Sequence, residues 1–179
     1  MRTVLGEFVG VAPQKLRFDH GPCGKPRLAS DLADSVSFSL AHSGELAVVA
    51  ISAASEVGVD VERIRPIPEA LKIAERAFDS SSCTALRETA PEHRDATFLR
   101  CWTRLEALAK ATGCGLVPLL EQTEELRGAG HIVERLVDDH GRRGGLFEVI
   151  DLPLGSDYVG TLAAESPHPR PLPFRSEPP

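Results

Sequence analysis

The chain of 179 residues contains no run of about 18 apolar residues, so no helix of it is expected to span a membrane. It has no basic excess either. Lys plus Arg number 20 against 26 Asp plus Glu, a formal net charge of −6. That argues against a generic nucleic-acid binder, which is usually basic, while leaving room for a local basic pocket. The opening MRTVLGEFVG lacks a long apolar core ending in small residues, so it does not read as a secretory signal. The four cysteines, Cys23, Cys83, Cys101 and Cys114, form no C-x-x-C pair. Structural zinc needs grouped ligands, and scattered cysteines without a leader read as reduced thiols in a cytoplasmic protein. The G-x-S-x-G nucleophile elbow, the Walker phosphate loop and any short tandem repeat are missing too.

What remains is ordinary soluble composition, 42% hydrophobic and 26% charged, enough for one compact domain or two small packed lobes. A helix end is expected over residues 2–10. Val36, Phe38, Leu40 and His42 alternate with Ser37, Ser39, Ala41 and Ser43, the pattern of a half-buried strand. LAVVAIS (46–52) reads as a fully apolar strand, and Val57, Val59 and Val61 alternate with Gly58, Asp60 and Glu62 in a third. Helices are expected over 67–78, 80–88 and 91–112, the last started by Pro91 and stopped by Gly113. Strands follow over 131–137, 146–152 and 158–165. Strands, then helices, then strands indicate an α+β protein. The segment 166–179, SPHPRPLPFRSEPP, has six prolines and is expected to be disordered.

Several residues could carry chemistry. In V-G-V-D-V-E-R, Asp60 and Glu62 share one face of a strand, about 7 Å apart. They repel unless a positive group lies between them, and a hard divalent ion such as Mg²⁺ suits carboxylate oxygens. A solvated face of an edge strand is the plainer alternative. In F-L-R-C-W-T-R-L-E-A-L-A-K, Phe98, Trp102, Leu105 and Ala109 form an apolar helical stripe with Glu106 on its shoulder. Lys110 is four residues after Glu106, so the two can form a surface ion pair. Alternatively Glu106 is a third metal ligand and Lys110 a counter-charge for phosphate. His42, at a strand end before Ser43-Gly44, could donate to a phosphate or cap the turn. Lys25, in G-K-P, could be a point charge, although the tripeptide alone reads as a turn.

Taken in order, G-K-P-R-L, F-S-L-A-H-S-G, V-G-V-D-V-E-R and F-L-R-C-W-T-R-L-E-A-L-A-K-A-T-G-C-G-L resemble the 4′-phosphopantetheinyl transferase superfamily. The histidine motif and the tryptophan helix are similar to its larger, surfactin-synthetase-activating type. The resemblance runs from about Arg2 to Glu165. It implies two similar α/β lobes packed as a pseudo-dimer, residues 1–66 and 67–165, with coenzyme A between them. It also implies Mg²⁺-dependent transfer of phosphopantetheine from coenzyme A to a serine of an acyl or peptidyl carrier protein, that is, a holo-acyl-carrier-protein synthase activity. The other product would be adenosine 3′,5′-bisphosphate. By motif position, Asp60, Glu62 and Glu106 match the acidic Mg²⁺ site. Glu106, or a metal-bound water it orients, would take the serine proton, and Lys110 would neutralise the pyrophosphate. His42 would contact a coenzyme A phosphate, Lys25 and Pro26 would line the adenine side, and Arg2 would face the 3′-phosphate. Neither nucleic acid nor membrane is an expected partner.

Four departures accompany the resemblance. Met1 directly precedes the R-T-V-L-G match, so either the start is misassigned or the first lobe is short at its N-terminus and is expected to expose apolar surface. Leu105 stands where the family usually has lysine, Ala41 where it usually has serine, and Ser82 where a glutamate is usual. An impaired relative that only binds coenzyme A or a carrier protein is the alternative function. Arg63 and Arg65 are candidate carrier contacts.

Overall fold

The computed structural model describes residues 1–21, 23–29, 36–113, 115–116, 132–133 and 147–165. The fold is α+β. Helix α1 (Arg2–Val9) ends at Gly10 in the left-handed conformation. Two three-residue strands, β1 (Phe18–His20) and β2 (Pro26–Leu28), pair antiparallel. Strands β3 (Ser37–Ser43) and β4 (Leu46–Ser52) form a hairpin in which Ser43 pairs with Leu46, leaving Gly44-Glu45 as a two-residue loop. Gly44 has φ 58°, the left-handed geometry that such tight loops demand. Strand β5 (Val57–Arg63) then crosses to another sheet.

Three helices follow: α2 (Ala70–Ala77), α3 (Ser80–Glu88) and α4 (Pro91–Thr112). The second sheet has the order β5-β8-β7-β6, with β6 (Ile132–Val133), β7 (Phe147–Asp151) and β8 (Tyr158–Glu165), all antiparallel. No helix among the described residues is long and apolar enough to cross a membrane. Segment 166–179 and the ends of the strand expected over 131–137 lie outside the described residues.

Four buried clusters hold these elements. Leu5, Leu16, Leu28 and Phe38 close the N-terminal part. Ala41, Val59 and Val61 join the hairpin to β5, with Leu46 and Val48 alongside. Leu105, Leu108, Phe147 and Ala163 pack α4 on the sheet. Leu86, Phe98, Leu99 and Val159 pack α2 and α3 against α4 and β8. Met1, and Val4 and Phe8 of α1, are exposed.

Two expectations need correction. The helix expected from Ile67 begins at Ala70, because Pro66 and Pro68 punctuate the approach. Strand β3 does not simply bury its apolar face: Leu40 and His42 are exposed, whereas Ser39 and Ala41 are buried. The reason is a set of hydroxyl bonds to β5. Ser37, Ser39 and Ser43 accept the backbone N–H groups of Val57, Val59 and Arg63 through their Oγ atoms, at 3.2, 3.0 and 3.0 Å. The partners advance together by a constant offset of 20 residues, so β3 runs parallel to β5 and its serines satisfy the edge of the second sheet. Strand β5 is hydrogen-bonded along its length to β8.

Candidate functional site

The site forms where β5 meets α4. Side chains alternate along β5, and the valine face packs on the hairpin while Gly58, Asp60 and Glu62 share the other. That face is not a solvated edge: α4 lies on it. Gly58 makes the approach possible. A Cβ there would sit 2.0 Å from the Ala107 carbonyl oxygen and 2.3 Å from the Ala111 nitrogen, so only glycine lets the helix come this close. Farther along, Thr103 of α4 and Thr161 of β8, both fully buried, share a 3.0 Å hydrogen bond. Thr161 is the register partner of Asp60.

This close packing covers Asp60, which is 8% exposed. The Lys110 ammonium donates to its Oδ1 at 2.7 Å. Lys110 therefore reaches across to the strand instead of pairing with Glu106 along the helix. Asp60 Oδ2 is buried and has no hydrogen-bond partner among the described residues. Burial pushes the Asp60 carboxyl above the ordinary range, Lys110 pulls it back, and the Glu62 charge adds to the rise. Burial also raises Glu106, with the charges of Asp60 and Glu62 contributing. Glu62 is anchored differently: its Oε2 accepts from Ser43 Oγ at 2.9 Å and from an Arg65 guanidinium nitrogen at 2.7 Å.

Asp60, Glu62, Glu106 and Lys110 are thus brought together. No three His, Cys, Asp or Glu side chains among the described residues converge as a ready metal cluster. The donors nevertheless fit a hard divalent cation. They are carboxylate oxygens, one of them is buried without a donor, and the Glu62 charge adds to the raised proton affinity of both Asp60 and Glu106.

The other expected residues lie apart from this cluster. His42 is exposed at the end of β3, beside the hairpin loop. Pro26 opens β2 opposite His20. The Lys25 side chain is 8% exposed and its ammonium donates to Glu56 Oε2 at 2.6 Å, to the Ala111 carbonyl at 2.9 Å and to the Val57 carbonyl at 3.1 Å. It pins the C-terminal turn of α4 to the start of β5. Arg2 donates to the carbonyls of Leu16 and Pro13 and lies 4.8 Å from the centre of the Phe18 ring. Leu105 is 5% exposed and packs in the core, so the lysine usual at this position would start from the core side of α4. Ser82 contributes to the cap of α3, its N–H and hydroxyl both donating to Asp79. A cavity of about 400 Å³ opens between the starts of α2 and α4, lined by Ile67, Glu69, Lys72, Pro91, Arg94 and Asp95, and its lining does not include Asp60, Glu62 or Glu106.

Comparison with known proteins gives this arrangement a family. A family model described as the 4′-phosphopantetheinyl transferase superfamily matches residues 56–163, more than half of the chain. The chain belongs to the 4′-phosphopantetheinyl transferase superfamily. The match begins at the start of β5 and ends within β8, so it contains Asp60, Glu62, Glu106 and Lys110. Among relatives, the 4′-phosphopantetheinyl transferase HetI of Nostoc is 37% identical over 122 residues, covering 68% of this chain and 52% of that protein. The 4′-phosphopantetheinyl transferase psf-1 of Bacillus pumilus is 33% identical over 139 residues, 77% of this chain and 58% of that protein. The human L-aminoadipate-semialdehyde dehydrogenase-phosphopantetheinyl transferase is 28% identical over 133 residues, covering 69% and 43%. The chain spans about half the length of the curated relatives it matches.

Two residues that pack or bond against this cluster were not singled out for that role in the sequence: Gly58 and Ser43. A glycine inside a valine-rich strand was the available signal for the first, since it marks close backbone approach. The second had only its place in H-S-G.

Proposed function

We propose that the chain transfers 4′-phosphopantetheine from coenzyme A to a serine of an acyl or peptidyl carrier protein. The observation that carries this reading is the cluster on β5 and α4. There Asp60 keeps one buried oxygen without a donor and Glu106 is held at raised proton affinity. In this reading Asp60, Glu62 and Glu106 hold Mg²⁺. When bound, the metal would supply charge stabilisation at the pyrophosphate of coenzyme A. Glu106, or a water it orients, accepts the proton of the carrier serine. The serine oxygen forms the new bond to phosphorus. The bond between that phosphorus and the bridging oxygen breaks, and adenosine 3′,5′-bisphosphate leaves with the electron pair. Lys110, already on the site, offsets the phosphate charge.

His42, exposed beside the hairpin loop, is proposed to contact a coenzyme A phosphate, and Pro26 to line the adenine side. The Lys25 ammonium and the Arg2 guanidinium are bonded to acceptors of the chain itself, so a phosphate role for either requires exchanging those bonds. The pseudo-dimeric arrangement of lobes belongs to the same proposal. For the carrier, Arg63 is exposed just after the site strand, whereas Arg65 is tied to Glu62.

The test is intact-mass spectrometry of apo carrier proteins incubated with the chain, coenzyme A and Mg²⁺, beside a metal-free control. A metal-dependent gain of one phosphopantetheine, lost in Asp60→Ala, is the expected result. No gain with a folded chain and several carriers overturns the transferase reading in favour of a binding-only relative.

A further inference from the structure

The serines of β3 do more than satisfy the edge of β5. Ser43 Oγ accepts the N–H of Arg63 and donates to Glu62 Oε2, the carboxylate one residue earlier. Ser37 repeats the arrangement: its Oγ accepts the N–H of Val57 and donates to Glu56 Oε2 at 2.9 Å. Ser39 takes the N–H of Val59, and the preceding residue is Gly58, which has no carboxylate. The remaining rung of the same register pairs position 41 with Val61, preceded by Asp60. Position 41 is alanine, and Asp60 is the carboxylate with a buried oxygen lacking a donor. One strand therefore ties Glu56, just before β5, and Glu62 within it, and leaves the aspartate between them untied on that side.

We propose that Ser43 is a positioning residue for Glu62, fixing through its hydroxyl the carboxylate that completes the divalent-cation site. This rests on the metal reading given under Proposed function. A partly exposed glutamate on a flexible side chain would otherwise sample several rotamers, and holding it costs entropy at each binding event. The backbone N–H of Arg63 orients the Ser43 hydroxyl, so the hydroxyl proton points at Glu62. Arg65 approaches the same oxygen from the exposed side, which leaves Oε1 as the atom without a bond among those described. Partners that orient metal-binding carboxylates contribute roughly 10- to 100-fold to metal affinity.

The experiment measures Mn²⁺ binding to the full chain by electron paramagnetic resonance, without coenzyme A or carrier, together with thermal unfolding of the metal-free protein. Ser43→Ala is expected to weaken Mn²⁺ binding about tenfold. Ser43→Thr, which keeps the hydroxyl, should bind as wild type. Ser43→Cys preserves size but offers only a weak donor, so it should follow the alanine variant. Ser37→Ala breaks the equivalent rung at Glu56 and should leave Mn²⁺ binding unchanged even where it lowers the melting temperature. Asp60→Asn should abolish binding.

Wild-type affinity in Ser43→Ala and Ser43→Cys, with binding lost in Asp60→Asn, overturns the positioning role and leaves the metal site standing. An equal loss of affinity in Ser37→Ala overturns it too, because the rung would then be purely structural. Failure of the wild-type chain to bind Mn²⁺ overturns both readings.

Discussion

Gly58→Ala isolates the contact on which the whole site depends. The added Cβ meets backbone atoms, the Ala107 oxygen at 2.0 Å and the Ala111 nitrogen at 2.3 Å, and neither can swing aside as a side chain would. Moving from 2.0 Å out to the 3.4 Å of ordinary contact requires α4 and β5 to separate by about 1.4 Å. Overpacking a close-fitted interface costs about 1–3 kcal/mol, and a backbone clash belongs at the upper end. For a chain of this size that corresponds to a fall of about 6–12 °C in melting temperature. The same separation strains the 2.7 Å bond from Lys110 to Asp60 and the 2.9 Å bond from Lys25 to the Ala111 carbonyl. A displacement near 1 Å can cost about 100-fold in rate, so carrier modification should fall by that order even at temperatures where the variant is folded. Chemical denaturation and the mass-spectrometric transfer assay read the two effects. Gly21→Ala is the control, because its Cβ would meet only the Lys25 oxygen at an ordinary 3.6 Å. It should stay within about 0.5 kcal/mol of wild type. If Gly58→Ala costs less than about 1 kcal/mol, the close approach of α4 does not constrain the site and the reasoning fails.

Other expectations follow from the same contacts. Glu106→Gln should stabilise the metal-free protein at neutral pH. The folded Glu106 carboxyl has its pKa raised, so its ionisation burdens the native state only as pH climbs from the ordinary 4.5 through the raised value. The gain over wild type should thus vanish near pH 4 and stay under about 1 kcal/mol at pH 7, because the group is half-exposed; thermal melts at both pH values check this. Glu56→Gln should behave oppositely. Burial raises that carboxyl, but Lys25, Ser37 and Arg27 outweigh burial and leave it lowered, so its contribution is present above pH 4.5 and lost as pH falls through the lower folded value. Lys25→Met should cost about 2 kcal/mol in urea unfolding, leaving Glu56 with only Ser37 and Arg27. Asp79→Ala removes the acceptor for the N–H groups of Ser81 and Ser82 and should cost about 1 kcal/mol, measured the same way.

Much of the secondary structure was legible because local chemistry marks it. Helix α4 keeps its expected bounds since Pro91 starts it and Gly113, in the left-handed conformation, ends it. Strands β4 and β8 and helix α3 also have their expected limits. Hydrophobic alternation misread β3 because it assumes that small polar faces go to water. Here the serine hydroxyls bond the backbone of β5, so Ser39 and Ala41 are buried, while Leu40 and His42, on the same face as the buried Phe38, are exposed. The three-residue strands β1 and β2 carry too short a pattern for periodicity to register. The separate motifs holding Asp60, Glu62 and Glu106 could be read, but their meeting depended on how α4 crosses β5. Local spacing on α4 offered Glu106 to Lys110, whereas the tertiary fold gave Lys110 to Asp60.

The site carries an electrostatic cost that the surrounding contacts must offset. Asp60 and Glu106 both have raised proton affinity, so without a cation their charges weaken the contact between β5 and α4. Three largely charge-neutral attachments flank that region along the helix. Lys25 spends its charge on Glu56 and uses its other protons to tie Val57 to Ala111. Gly58 admits the backbone of Ala107 and Ala111. Thr103 bonds Thr161 in a fully buried pair. Glu106 and Lys110 lie on α4 within the span these attachments define, between Thr103 and Ala111. Replacing Thr161 by valine removes one end while leaving every carboxylate in place. It should cost about 1 kcal/mol for the lost hydrogen bond. If position, rather than charge alone, sets cation affinity, the same variant should also weaken Mn²⁺ binding, whereas Asp79→Ala, of similar cost but remote from α4 and β5, should not. Equal Mn²⁺ affinity in both variants would show that the carboxylates find the cation without the scaffold.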